Sequence, residues 1–229
     1  MALSQSSLPA RAARDVAIVL IVMAVLLFGS AGTLAWWPAW LFLAVYLAWT
    51  ALTSRWLFRH DRALFERRMR GGPLREPDPR QKIIMTLASI GFGALLVLPG
   101  LDRRFLWSHA SAWLPIAGNL LLSAGWIGIL LVFRENSFGA ATVEVMPGQT
   151  VISSGPYAVV RHPMYAVALL MLAGIPLALG SWRGLAAFLL IIPALIWRLL
   201  EEERLLTRDL PGYPDYTRKV RYRLVPGVW

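Results

Sequence analysis

Long apolar windows alternate with short charged breaks along this chain, and the lengths of the windows decide what they are. A helix rises about 1.5 Å per residue, so roughly 20 mostly apolar residues cover the hydrocarbon of a bilayer, where backbone N–H and C=O groups must be bonded within their own segment. Two windows near the start, about Val16 to Trp36 and Pro38 to Phe58, meet at a turn bearing Trp36, Trp37 and Trp40 and predict a membrane hairpin. The first is longer than a secretory signal core and passes straight into another span, so it is expected to stay in the mature protein. A third window, about Ile83 to Leu101, and a fourth, Trp113 to Phe133, flank a turn with Asp102, Arg103 and Arg104. Two shorter ones follow, about Met164 to Leu179 and Leu185 to Trp197, joined by Gly180-Ser181-Trp182-Arg183-Gly184. Their lengths predict a tilted or re-entrant helical hairpin.

The breaks differ in character. Residues 59–82 (RHDRALFERRMRGGPLREPDPRQK) are dense in charge and interrupted by Gly71-Gly72-Pro73, which predicts a solvated loop. The stretch from about Leu205 to Trp229 is basic, aromatic and broken by prolines, as expected of a segment lying on the membrane surface, either covering a site or anchoring to anionic lipid. The expected fold is therefore all-α, a polytopic transmembrane helical bundle with a C-terminal helical hairpin and a membrane-surface segment. Residues 1–133 would form four transmembrane helices with the basic loop 59–82, and residues 134–229 the region that carries the chemistry.

Composition agrees with a lipid solvent. Of 229 residues, 57% are hydrophobic and 16% charged, with a mean hydropathy of +0.56, which excludes an ordinary soluble domain. A net charge of +10 would suggest nucleic acid in a soluble protein. Here the placement of the charge argues for topology: all Lys and Arg except Arg103, Arg104 and Arg183 fall in the termini or in the stretches 55–82 and 134–161. The positive-inside rule makes that face cytoplasmic. The chain has no cysteine, so disulfides, thiolate metal sites and Cys nucleophiles are excluded. His60, His109 and His162 are too scattered to propose a metal site, and no phosphate-binding or dinucleotide-binding glycine motif is present.

Two polar clusters remain, one at each end of the short hairpin. The first runs from Gln149-Thr150-Val151-Ile152 through Gly155-Pro156-Tyr157 to Arg161-His162-Pro163-Met164-Tyr165, and the second is Arg198 followed by Glu201-Glu202-Glu203. A hairpin brings its entry and exit together, so the clusters should meet. Pro163 suits the first turn of a helix, with His162 at the cap, leaving outward-pointing N–H groups that with Arg161 can hold a carboxylate or phosphate. Alternatively Arg161, His162 and Tyr165 only anchor a span among headgroups. Arg198 and Glu202, four apart, could form a surface ion pair. Three successive glutamates spread over about 200° of helix, so at least one should face the hairpin.

Residues Thr142 to Trp229 resemble the isoprenylcysteine carboxyl methyltransferase family of integral membrane, S-adenosylmethionine-dependent enzymes. The resemblance rests on Gly155-Pro156-Tyr157, Arg161-His162-Pro163-Met164-Tyr165, the short hairpin, Arg198 with Glu202-Glu203 and Leu206, then Tyr213, Tyr216, Arg221 and Pro226. It implies that Gln149, Thr150, Val151, Ile152, Tyr157, His162, Pro163, Met164 and Tyr165 line the methyl-donor pocket together with Glu202. It also implies that Arg198 binds an acceptor carboxylate, the catalytic set being Arg198, Glu202 and Glu203. Gln149 stands where the eukaryotic prenylcysteine enzymes carry a histidine, and Thr142 or Glu144 would form the upstream edge.

The chemistry suits these residue types. Methyl transfer from a sulfonium is an in-line displacement in which positioning supplies much of the acceleration, and an ionised carboxylate acceptor needs no general base. The glutamates can pair with the donor's ammonium while helix N–H groups take its carboxylate. A lipidic acceptor would enter from the bilayer and the donor from the cytoplasm. An amine acceptor, as in a phospholipid N-methyltransferase, would require Tyr157, His162 or a glutamate to act as base. A non-catalytic lipid-binding or scaffold protein, and a sterol or quinone reductase with similar C-terminal helices, are the competing readings.

Overall fold

The computed structural model describes residues 7–76, 78–139 and 141–229. Among these there are eight α-helices and no strand: α1 Ser7–Ala31, α2 Trp37–His60, α3 Arg62–Arg68, α4 Pro79–Phe105, α5 Trp113–Glu135, α6 Pro163–Ala178, α7 Leu185–Asp209 and α8 Tyr213–Lys219. The all-α architecture follows from the apolar windows. Helices α1, α2, α4 and α5 are each long and apolar enough to cross a bilayer. Only 11% of the most apolar stretch of α1 and 33% of that of α5 is buried by protein. Side chains such as Ile21, Val25, Ile90, Leu120 and Leu190 point outward, so the outer apolar surface has to meet lipid. This is a multi-pass membrane protein.

One core draws on all six long helices, with Met23 and Leu27 from α1, Phe42 from α2, Leu95 and Leu96 from α4, Leu122 from α5, Ile175 from α6 and Ile191 from α7. Lipid offers no hydrophobic drive for helices to pair, so close packing depends on small residues at the contacts. A Cβ built on Gly118 of α5 would lie 2.0 Å from the Ala178 backbone nitrogen of α6. Gly91 of α4 likewise lies against Ile191 of α7, where a Cβ would come within 2.3 Å of Cγ1, whereas Gly93 has open space beside it.

The last hairpin runs through the bundle. Its turn reaches the end opposite the site, where the Ser181 hydroxyl donates to Asp102 Oδ2 of α4 and the Gly184 N–H donates to the Ser181 hydroxyl oxygen. Its second arm does not stop near Trp197. Helix α7 continues to Asp209, carrying Arg198 and the three glutamates beyond the apolar part. Helix α6, of 16 residues, is shorter than α5, of 23, by about 10 Å.

The charged stretch 59–82 is not simply a solvated loop. Helix α2 extends through His60, and α3 follows at once, with the Asp61 side chain accepting from the Leu64 N–H at its start. Leu64 and Phe65 are buried against Leu57 and Phe133, while Arg62 lies over the Phe58 ring and Arg68 over the Phe133 ring. After a 3₁₀ turn at Pro73–Arg75, Glu76 is 2% exposed. The arginines supply the charge that the sequence shows, but α3 also turns apolar side chains inward. Trp36, expected at a headgroup, is buried, although Trp37 and Trp40 are exposed.

Candidate functional site

At the end of the bundle that carries the basic segments, a cavity of about 470 Å³ opens between α3, α4, α5, the 136–152 connection, α6, α7 and α8. That volume is in the range of small-molecule sites. Its walls include Gln149, Thr150, Val151, Ile152, Tyr157, His162, Pro163, Met164, Tyr165, Arg198 and Glu202, with Thr142 and Glu144 at the upstream edge. The expected donor-side residues are thus brought to one space.

Local sequence explains how the first cluster gets there. Gly155 has φ +54°, and a Cβ on it would lie 2.6 Å from Glu135 Cγ, so only glycine fits this turn against the end of α5. The Ser154 hydroxyl donates to Glu135 Oε2 (2.7 Å). Tyr157 then reaches the cavity, its hydroxyl accepting from Asn136 Nδ2 (2.8 Å). Burial, outweighing the Asn136 bond, pushes its pKa up to about 12, so it is a neutral hydroxyl at physiological pH. Pro163 opens α6, and His162 is its N-cap without a side-chain capping bond. The first turn of α6 therefore meets the cavity without a side-chain cap. In the upstream loop the Met146 N–H donates to Gln149 Oε1 (2.9 Å), which holds the turn leading into Thr150.

The three glutamates of α7 go three ways. Glu201 faces outward to Arg204 and Arg80. Glu202 faces the cavity, where the Tyr165 hydroxyl donates to its Oε2 at 2.5 Å. Glu203, expected among the catalytic groups, does not line the cavity. Its Oε1 accepts from Arg161 Nε (2.7 Å) and lies 3.3 Å from His162 Nε2, and its Oε2 accepts from Arg223 Nε (2.7 Å). Burial would raise the Glu203 pKa, but the hydrogen bonds and charges of His162, Arg223 and Arg161 outweigh it and hold the carboxyl at about 2. An ionised carboxylate held between two guanidinium groups and the His162 ring is an anchor; a one-residue step turns Glu203 about 100° away from Glu202 and out of the cavity.

Arg161, which also borders the cavity, is tied in the same way. Besides Glu203 it donates from Nη1 to the Val220 and Arg221 carbonyls. The N–H groups of Arg161 and His162 donate to the Tyr222 and Arg223 carbonyls, so the chain beyond α8 is fastened along the first cluster. Tyr213 and Tyr216 of α8 close the cavity wall, and the Tyr216 hydroxyl donates to the Tyr157 carbonyl (2.7 Å).

Arg198 does not pair with Glu202. Its Nη1 lies 2.8 Å from Glu76 Oε1 and donates to Gln81 Oε1 (3.1 Å), and its Nη2 donates to the Ala141 carbonyl (2.9 Å). The Val143 N–H donates to Glu76 Oε2 (3.2 Å). Glu76, Gln81 and the cavity-lining Arg68 come from the stretch that sequence reading placed in solvent, so the site is not confined to residues 134–229. The only sequence signal for Glu76 was a lone acid between prolines, which local pattern does not distinguish from a surface charge.

Residues 113–210 match the family model described as phospholipid methyltransferase. This segment is similar to that family over less than half of the chain. The isoprenylcysteine carboxyl methyltransferase resemblance falls within the same group of integral membrane proteins. Two similar curated proteins are the cobalt-zinc-cadmium resistance protein CzcN of Cupriavidus metallidurans, 32% identical over 104 residues covering 44% of this chain and 47% of that protein, and the nickel-cobalt-cadmium resistance protein NccN of Alcaligenes xylosoxydans xylosoxydans, 28% identical over 109 residues covering 47% and 49%. The chain spans about half the length of the curated relatives it matches. The matched segment holds Tyr157, His162, Tyr165, Arg198 and Glu202, whereas Arg68, Glu76, Gln81 and the fastening residues of the tail lie outside it.

Proposed function

We propose that the protein is a membrane methyltransferase that uses S-adenosylmethionine to methylate a lipidic acceptor, a carboxylate such as that of an isoprenylcysteine being the acceptor that the site suits best. The observation that carries this reading is the one cavity in which residues 149–152, Tyr157, His162 to Tyr165 and Glu202 converge, within a segment that matches a methyltransferase family model.

The residues fit an amino-acid-bearing donor. Glu202 offers a carboxylate to an ammonium, the first turn of α6, where the Tyr165 and Ala166 N–H groups are taken by the His162 carbonyl, offers the Met164 N–H to a carboxylate, and Val151, Ile152, Met164 and Leu206 offer apolar wall to the remainder. The bound donor supplies an electrophilic methyl. In the transfer an acceptor oxygen forms the new bond to carbon as the sulfur–methyl bond breaks and its electron pair stays on sulfur. Opposite charges are cancelled in that step, so a cavity poor in water does not oppose it. Tyr165 fixes the Glu202 carboxylate, and Arg198, held by Glu76, presents donors on the acceptor side. The basic end of the bundle is placed at the cytoplasm, where the donor is made, and the acceptor reaches the cavity from the bilayer.

An N-methylating reading is favoured by one observation, the Tyr165 to Glu202 hydrogen bond, through which a proton lost from an amine could reach a carboxylate. The resistance named in the two relatives belongs to those proteins and adds no residue to this site.

Calorimetric titration of purified protein with S-adenosylhomocysteine is expected to show saturable binding, weakened at least roughly tenfold in Glu202→Ala by loss of a charge-assisted bond. Absence of saturable binding would overturn the assignment and favour a lipid-binding or scaffold role. Label transferred from the methyl donor to membrane lipid should leave on mild alkaline treatment, as an ester does, whereas alkali-stable label would select the amine.

A further inference from the structure

The end of the bundle opposite the proposed methyl-transfer site holds a second cavity, of about 330 Å³, between the α1–α2 turn, the end of α4, the start of α5 and the α6–α7 turn. Its walls include Trp36, Trp37, Asp102, Arg103 and Ser108. Asp102 is 2% exposed, and its two described partners are uncharged: the Ser108 N–H donates to Oδ1 (2.6 Å) and the Ser181 hydroxyl to Oδ2. Each carboxylate oxygen can accept twice, so further acceptor positions remain, and so does the negative charge. Such a charge, buried without a counter-charge, is costly. An amide side chain could bond to both Ser108 and Ser181, so holding the turn does not require the charge.

The surrounding charges decide what kind of ligand fits. Asp102 is the only acid between Asp78 and Glu135, at an end that also carries Arg103, Arg104 and Arg183. A simple cation would meet one carboxylate among three arginines, whereas a zwitterion of ammonium and phosphate finds a partner for each charge. Arg104 lies over the Phe105 ring and Arg183 over the Trp107 ring. Arg103 borders the cavity, is exposed and, among the described residues, forms no ion pair.

The place suits a lipid headgroup. Trp37 and Leu106 on the cavity wall are exposed, as are the adjoining Phe105 and Trp113, a pattern expected at the membrane interface. Leu106 is, among the described residues, the one non-glycine residue with positive φ (+54°). Its turn is closed by the Leu106 and Trp107 N–H groups on the Asp102 carbonyl, which sets Ser108 against the carboxylate. Backbone strain of this kind clusters at ligand-binding sites.

We infer that this cavity binds the zwitterionic headgroup of a phospholipid bearing a primary ammonium, which donates to Asp102 while the phosphate meets Arg103, in the leaflet opposite the proposed methyl-transfer cavity. The Trp36 and Trp37 walls favour an organic cation. This site is independent of the methyl-transfer reading and stands or falls without it.

A local reporter is needed, because the other cavity could take the same lipid. Ala112 is exposed on the cavity wall, and the chain has no cysteine. The test is the rate of maleimide labelling of Ala112→Cys in the full chain, in phosphatidylglycerol nanodiscs with rising fractions of phosphatidylethanolamine. Trp182→Cys, at the same end but off the cavity wall, is the control. Phosphatidylethanolamine should protect Ala112→Cys and leave Trp182→Cys unchanged. Adding Asp102→Asn should raise the half-protecting fraction at least roughly tenfold, the worth of a charge-assisted bond. A long-chain primary amine without phosphate should protect less well than phosphatidylethanolamine, and that difference should vanish in Arg103→Gln, an exposed position that carries the test if Asp102→Asn does not fold. Glycerophosphoethanolamine in solution should not protect. The inference is overturned if phosphatidylethanolamine gives no protection or slows Trp182→Cys equally, if either preference survives its substitution in a protein that elutes as the wild type does in gel filtration, or if the soluble headgroup protects as well as the lipid.

Discussion

The Tyr165 hydroxyl donates to Glu202 Oε2 over 2.5 Å, joining the entry of the short hairpin to its exit across 37 residues of chain. Tyr165 is in the first turn of α6 and Glu202 in the extension of α7, so this bond exists only because the two arms return to the same end of the bundle. In Tyr165→Phe the carboxylate keeps its charge and loses its orientation. S-adenosylhomocysteine affinity should fall about fivefold in that variant, less than in Glu202→Gln, in which the charge itself is lost. Titration calorimetry on both variants reads the order, and an equal loss would show that charge on Glu202 does not matter.

Glu76 and Arg198 should be strongly coupled. Their side chains are 0% and 9% exposed, and removing either partner of a buried pair costs about 3–5 kcal/mol because the other charge is stranded. The double variant Glu76→Gln/Arg198→Met should therefore be more stable than the sum of the single changes implies, by at least about 1 kcal/mol. Unfolding in detergent, followed for the four proteins of the cycle, gives the coupling. Additivity would mean that the pair contributes nothing.

Glu203 makes acid stability a local property. Its folded pKa is about 2 against an ordinary 4.5, so the folded form binds the proton more weakly than the unfolded chain. The stabilisation is complete above pH 4.5 and is lost as pH falls towards 2, on the order of 3 kcal/mol in all. Glu203→Gln should be less stable than the wild type at pH 7, and the gap should narrow on acidification through that window. A gap independent of pH would refute the assignment of the shift to Glu203.

The helix contacts predict a contrast between two glycines on spanning helices. Gly118→Ala places a methyl group against the Ala178 backbone, which cannot move aside as a side chain can, so α5 and α6 must separate; a loss of several kcal/mol or failure to fold is expected. Gly93→Ala meets nothing within 4 Å and should be neutral or stabilising by up to about 1 kcal/mol from helix propensity. Thermal unfolding followed by size-exclusion chromatography separates the two.

Because the chain has no cysteine, single cysteines can report its orientation. Leu74, 93% exposed at the site end, and Trp182, exposed in the turn at the other end, should label from opposite sides. In intact cells Trp182→Cys is expected to react with an impermeant maleimide and Leu74→Cys only after permeabilisation. The reverse pattern would place the cavity outside the cytoplasm.

What the sequence by itself determined was whatever depends on runs and near neighbours: the apolar windows, the lipid solvent they require, the Pro163 start of α6 with His162 at its cap, and a hairpin that had to bring two polar clusters together. These are local because helix length and periodicity are summed over consecutive residues. The tertiary structure alone decided which way each glutamate of α7 points, since one residue is a turn of about 100° and only packing against α4 and α6 sets its zero. It also decided that Arg161 and Glu203 fasten the C-terminal tail and that Arg68, Glu76 and Gln81 enter the site. Those partners are 42, 122 and 117 residues away from the groups they hold or would be distant from them altogether in an unfolded chain. A charged residue in a charged stretch looks the same in sequence whether it meets water or a buried arginine, and only the fold that closes over it removes the water.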